Sequence, residues 1–205
     1  MLLASCVTVG LASPAWGRTG PHGRAAYVTV LDRASMEQLL RVAPMRCLAA
    51  EGGAGLLSDR LPLRQIERFL IGDGGSSAVP MPGLVYERAG AVAGPEGDVR
   101  VSALLDLADR IRTDVQRDPL VHRVLVIVAS ADPPAGSRWA EDGLSGIILA
   151  EGTPAIVGTA LAGSGCDAPR SLTSDSTRRD GVVTSRDVAT TVLSFLGRSS
   201  RGGDP

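Results

Sequence analysis

Residues 171–197 read SLTSDSTRRDGVVTSRDVATTVLSFLG and contain the best-marked helix of the chain. Thr184 and Asp187 have the spacing of a capping box, in which each side chain bonds to the other residue's backbone N–H. Gly197 follows the last apolar position and is typical of a residue that ends a helix in the left-handed conformation. The side chains expected on one face of this helix are Val188, Thr191, Val192, Phe195 and Leu196.

Upstream of this helix, short apolar runs alternate with helical patterns. Helices are predicted after Ser35, with a break at Pro44, and from a cap at Asp98 to the Asp118-Pro119 stop. Strands are predicted over residues 26–31, 54–57, 123–129, 144–150 and 154–157. The alternation predicts an α/β fold in three layers, with a mainly parallel sheet and helices on both faces.

The apolar positions also predict which side chains are buried. The long helix after Asp98 presents one face made of Val101, Leu104, Leu105, Ala108, Ile111, Arg112 and Val115. The expected core includes Val28, Val30, Leu105, Ile111, Val126, Ile127, Ile148, Val192 and Leu196.

Composition and charge limit the class of protein. With 205 residues, of which 44% are hydrophobic and 21% charged, the chain is predicted to form one globular domain over residues 26–197. Residues 198–205 are expected to be a flexible tail. The net charge of −1 argues against general nucleic-acid binding.

The first 25 residues resemble an export segment followed by a linker. An apolar run over residues 1–12 precedes small residues, as in a signal peptide, although it has no basic start and is too short to span a bilayer. An exported or membrane-associated protein with a membrane or envelope partner is expected, with a cytoplasmic location as the alternative. Cys47 and Cys166 pair if the protein is exported; otherwise they are unpaired apolar side chains.

Residues 172–183, LTSDSTRRDGVV, carry a family resemblance. Together with the helix after them, they resemble the closing segment of the alkaline phosphatase superfamily. More narrowly, they are similar to phosphatase-like extracytoplasmic domains of actinobacterial membrane proteins. The resemblance extends loosely over residues 27–197 and implies an alkaline-phosphatase-like sheet order.

The resemblance implies positions for an active site. Asp32, directly after the first strand, matches the family's first metal-binding aspartate, and Ser58 is the candidate nucleophile. After the strand at 123–129, Ala131 stands where a metal-binding aspartate is expected and Asp132 where a histidine is expected. Each of Asp32, Ser58 and Asp132 can equally be a turn or capping residue.

The two histidines and two arginines complete this comparison. His22 and His122 precede strands and therefore belong to the edge of the sheet opposite the expected site. A site without histidine would need carboxylates and would suit Mg²⁺, Mn²⁺ or Ca²⁺. Arg178 and Arg179 either bind an anion in bidentate fashion or bond to carbonyls and to neighbouring Asp side chains in a long loop.

Two functions follow from these patterns. The favoured one is a divergent, non-catalytic phosphatase-like domain that needs no cofactor and acts in binding or envelope assembly. The alternative is a metal-dependent hydrolase of phosphoryl or sulfuryl esters that uses Ser58 with Asp32 and Asp132.

Overall fold

The structure is a computed structural model of the 205-residue chain. It describes residues 23–31, 34, 36–58, 68, 70, 81–89, 98–130, 145–174, 177 and 179–198. Residues 1–22 of the N-terminal segment and linker predicted over 1–25, and residues 199–205 of the tail predicted over 198–205, lie outside the described residues.

Within the described ranges, six strands form one sheet, in the order β3-β1-β4-β5-β2-β6. The strands are β1 Arg24–Leu31, β2 Gly53–Leu57, β3 Leu84–Ala89, β4 Arg123–Ser130, β5 Ser145–Gly152 and β6 Val182–Val183. The described helices are α1 Met36–Arg41, α2 Ala43–Glu51, α3 Asp98–Arg117, α4 Pro154–Leu161 and α5 Ser185–Phe195. No helix in the described part of the chain is long and apolar enough to cross a membrane.

The α/β class is confirmed, but the sheet is mixed where a mainly parallel sheet was predicted. β1 pairs in parallel with β3 and β4, and β2 pairs in parallel with β6, whereas β5 is antiparallel to both β4 and β2. Both β4 and β5 are continuous apolar runs because both faces of the sheet are covered, so the alternation that usually marks an antiparallel strand is missing.

Helices cover both faces of the sheet, as predicted. On one face α1 to α4 pack on alternate strand residues such as Val124, Val126 and Val128. On the other face α5 packs on the intervening residues, among them Leu125 and Ile127. This period-two division makes a three-layer domain with a core on each side of the sheet.

Most of the predicted core is buried, but Leu105 was assigned to the wrong face of α3. Leu105 is 44% exposed, while Leu107 is 1% exposed and packs into the core. Burial of Leu105 and burial of Leu107 both fit a helical period, and only the direction in which α3 docks on the sheet decides between them.

The strand predicted over residues 154–157 is wrong, because these residues begin α4. The Thr153 hydroxyl oxygen accepts a hydrogen bond from the Ile156 backbone N–H at 3.3 Å, and Pro154 occupies the first helical position. Both features favour a helix start. Edge strand β3 and the two-residue β6 were not predicted from the sequence.

A disulfide joins Cys47 in α2 to Cys166, which follows α4. The segment after Cys166 then runs beside β2. The Ala54 N–H donates to the Arg170 carbonyl at 2.8 Å, and the Leu172 N–H donates to the Ala54 carbonyl at 2.9 Å. Of the two alternatives that the sequence left open, the structure has the paired cysteines.

Candidate functional site

The carboxylate of Asp187 organises the start of α5. One of its oxygens, Oδ2, accepts hydrogen bonds from the Ser174 hydroxyl at 2.7 Å, the Thr184 hydroxyl at 2.8 Å and the Thr184 backbone N–H at 3.0 Å. In return, the Asp187 N–H donates to Thr184 Oγ1 at 3.2 Å. The predicted capping box is therefore confirmed, and Ser174 extends it to the preceding loop.

Thr177 performs a similar structural task within that loop. Its hydroxyl donates to the Val182 carbonyl at 2.6 Å. Gly181, whose φ of 76° favours glycine, donates its N–H to the Leu172 carbonyl at 2.7 Å and accepts from the Leu56 N–H at 2.7 Å. The described residues of this loop thus lie against β2 and are held there by the loop's own hydroxyl and backbone groups.

The two candidate anion-binding arginines belong to this loop. The side chain of Arg179 is exposed, and its backbone N–H lies 3.4 Å from Thr177 Oγ1. Arg178 lies outside the described residues, so pairing of the two guanidinium groups on one anion stays a prediction.

A cleft of about 480 Å³ lies between this loop and α5. Its floor is formed by Ile147 and Leu149, which are two residues apart on β5 and so project from the same face of the sheet. Leu172, Thr173 and Ser174 form one wall, and the first two turns of α5 form the other.

Two glycines of β2 allow the loop to lie so close to the sheet. A Cβ at Gly53 would be 2.7 Å from Leu172 Cδ2, and one at Gly55 would be 3.0 Å from the Gly181 carbonyl oxygen. A Cβ at Gly53 would require the Leu172 side chain to move, and one at Gly55 would require the Gly181 backbone to shift by a few tenths of an ångström. The missing side chains of β2 therefore shape the cleft.

Ser58, the candidate nucleophile, directly follows β2 and is exposed. Its backbone N–H donates to the Val183 carbonyl at 3.0 Å, which extends the pairing of β2 with β6. Since β2 is two strands from β4 and three from β1, the ends of these strands are separated by about 10 and 14 Å.

The candidate metal ligands Asp32 and Asp132 lie outside the described residues. Among the residues that the structure describes, no three His, Cys, Asp or Glu side chains are grouped so that they could hold a metal ion. His122 precedes β4 at the amino edge of the sheet, as expected, and its backbone N–H donates to the Gly23 carbonyl at 2.7 Å.

A buried phenol lies on the opposite face of the sheet. The Tyr27 hydroxyl donates to the Asp114 carbonyl oxygen at 3.1 Å. Burial and the nearby carboxylates of Asp114 and Asp118 raise the pKa of Tyr27 to about 12. Burial also raises the pKa of the Asp114 carboxyl group. The phenol is neutral at physiological pH and links β1 to α3.

Sequence reasoning missed the cleft, because its lining residues come from β5, the loop after α4 and α5, and no sequence motif joins them. Within α5 it identified Asp187 but not Arg186, which lines the cleft rim. The helical period of α5 was the available signal, because it places Arg186 on the exposed side and Val188 on the buried side.

The sequence matches no protein-family model, and no curated protein or solved structure matches it. The geometry of the cleft and of the sheet edge is therefore what bears on function.

Proposed function

We propose that this chain is a divergent, non-catalytic domain of alkaline-phosphatase-like ancestry that acts by binding, outside the cytoplasm, in an envelope assembly. The observation that carries the proposal is the hydrogen bonding of residues 172–187. Asp187 accepts three hydrogen bonds within the capping box and loop, and the Thr177 hydroxyl binds the Val182 carbonyl. Because these groups bond to one another and join the loop to α5, they support a scaffolding role for this segment beside the cleft.

The disulfide supports a location outside the cytoplasm. Cys47 is completely buried and bonded to Cys166 across 119 positions of the chain. Disulfides persist in oxidising compartments and are rare in the cytosol. Together with the apolar run over residues 1–12, this pairing favours export and an envelope partner over a cytoplasmic role.

Fractionation of cells that express the chain from its natural locus tests this location. We expect the protein in the envelope or extracellular fraction, with Cys47 and Cys166 protected from alkylation until a reductant is added. Recovery of full-length, fully alkylated protein in the cytosol would contradict export.

A metal-dependent ester hydrolase remains the second candidate, favoured by one observation. Ser58 is exposed at the edge of the sheet where β1, β2 and β4 all end, and open α/β sheets bind ligands at this edge. In this candidate, Asp32 and Asp132 would hold Mg²⁺, Mn²⁺ or Ca²⁺, which would polarise the ester, and Arg178 would steady the anion.

The two candidates make opposite predictions for turnover. The purified chain is assayed for bound metal and for hydrolysis of p-nitrophenyl phosphate and sulfate, with Mg²⁺, Mn²⁺, Ca²⁺ or Zn²⁺ added. The non-catalytic proposal predicts no ester turnover in the natural chain and none in Ser58→Ala or Asp32→Ala. Ser194→Ala, which removes an exposed hydroxyl near the far end of α5, is the matched control. Turnover that is lost in Ser58→Ala and kept in Ser194→Ala would establish the hydrolase instead.

A further inference from the structure

The cleft beside α5 combines an apolar floor with a polar rim. Leu149 of β5 and Leu172 are partly exposed and form its apolar surface, with the buried side chains of Ile147 and Val183 behind them. Arg186 is the one basic side chain among the described residues that line the cleft. The volume of the cleft is about 480 Å³.

The charges on the rim are not equivalent. Asp187 shares its carboxylate with three hydrogen-bond donors of the protein. Arg186 is exposed and forms no ion pair with the described residues. The start of α5 adds partial positive charge on the same side. Among the described lining residues, a ligand therefore meets a guanidinium with no ion-pair partner. The Asp187 carboxylate beside it keeps its negative charge, but its Oδ2 is occupied by protein donors.

We propose that this cleft binds a small amphipathic anion. Its carboxylate, sulfonate or phosphate group lies against the Arg186 guanidinium, and its apolar ring system or chain lies on the partly exposed Leu149 and Leu172. The inference rests on the proposed binding function and adds the chemical class of the ligand. Guanidinium groups suit these planar or tetrahedral anions because they present two parallel N–H donors.

Two fluorescent probes test the proposal on the full chain. 8-Anilinonaphthalene-1-sulfonate carries an aromatic body and one sulfonate, and N-phenyl-1-naphthylamine has nearly the same body without the charge. We expect one saturable sulfonate-probe site per chain. Arg186→Gln should weaken its affinity about five- to tenfold and change the affinity of the neutral probe less than about twofold. Thr190→Trp, at the exposed rim, should weaken both probes by filling the cleft.

Arg46→Gln is the matched control, because Arg46 is an exposed cation on α2, at the opposite face of the sheet. It should leave both affinities unchanged. The proposal is overturned if the sulfonate probe does not saturate at one site, if Arg186→Gln and Arg46→Gln behave alike, or if both probes weaken equally in Arg186→Gln. Ester turnover that depends on Ser58 would contradict the non-catalytic function and leave these titrations unaffected, so the two failures are distinguishable.

Discussion

Removal of the bond between Cys47 and Cys166 should destabilise the domain more than any surface change. The bridge closes a loop of 119 residues, and the chain-entropy model assigns about 5 kcal/mol to a loop of this length. Measured losses fall below this limit, so we expect Cys166→Ser to lower the free energy of unfolding by about 3–5 kcal/mol. For a chain of this size, that corresponds to a fall in Tm of about 10 °C. Urea unfolding followed by far-UV circular dichroism measures the change.

The matched control for this experiment is Cys6→Ser, which leaves Cys47 and Cys166 in place. In that background, the denatured protein should contain no free thiol before reduction and two after it. Reduced Cys6→Ser should unfold at the same urea concentration as the Cys166→Ser variant. Two free thiols in unreduced protein from an oxidising compartment, or equal stability with and without the bridge, would refute the reasoning.

Three further predictions concern packing, capping and pH. Leu107→Ala should lower the free energy of unfolding by about 2–5 kcal/mol and Leu105→Ala by under about 1 kcal/mol, because only Leu107 is buried. Equal losses for the two variants in urea unfolding would contradict the docking of α3. Asp187→Ala should lower the free energy of unfolding by about 1–3 kcal/mol in the same assay. Adding Ser174→Ala to it should have little further effect, because both substitutions break the same hydrogen bond between Ser174 and Asp187. The pKa of Tyr27 is raised from 10 to about 12, so the folded state holds this proton more tightly than the unfolded state does. The free energy of unfolding should therefore fall by about 1–2 kcal/mol as pH rises from 10 to 12. Tyr27→Phe should abolish this dependence on pH.

The alkaline test is unusually direct because the chain contains no lysine. Few side chains other than tyrosine titrate between pH 10 and 12, so the slope of stability against pH reports on the phenols. A slope that persists unchanged in Tyr27→Phe would show that another group controls alkaline unfolding.

The proposed cleft and the candidate nucleophile adjoin but involve different side chains: Ser58 does not line the cleft, although its backbone N–H bonds to the carbonyl of Val183, which does. The cleft lies on the face of the sheet that α5 covers, whereas Ser58 lies at the end of β2. Probe binding that depends on Arg186 and ester turnover that depends on Ser58 therefore separate a binding domain from an enzyme.

Elements with local signals were predictable from the sequence. The capping box of Thr184 and Asp187, the stop at Gly197 and the break before α2 depend on residues a few positions apart. Such signals act through backbone N–H groups and fixed φ angles, so they do not need the rest of the fold. The apolar runs of β1, β4 and β5 likewise showed that these strands are buried on both faces.

Only the tertiary structure decided the direction of β5, the inward face of α3, the pairing of Cys47 with Cys166 and the cleft at Arg186. A fully apolar strand reads the same in either direction, and a helix with apolar residues on adjacent faces fits more than one docking. Gly53 and Gly55 admit Leu172, one of the residues that line the cleft, to the surface of the sheet. Local spacing thus identified most of the helices and strands but not β3, β6 or the start of α4, whereas contacts between residues distant in sequence determined how the elements pair and where a ligand fits.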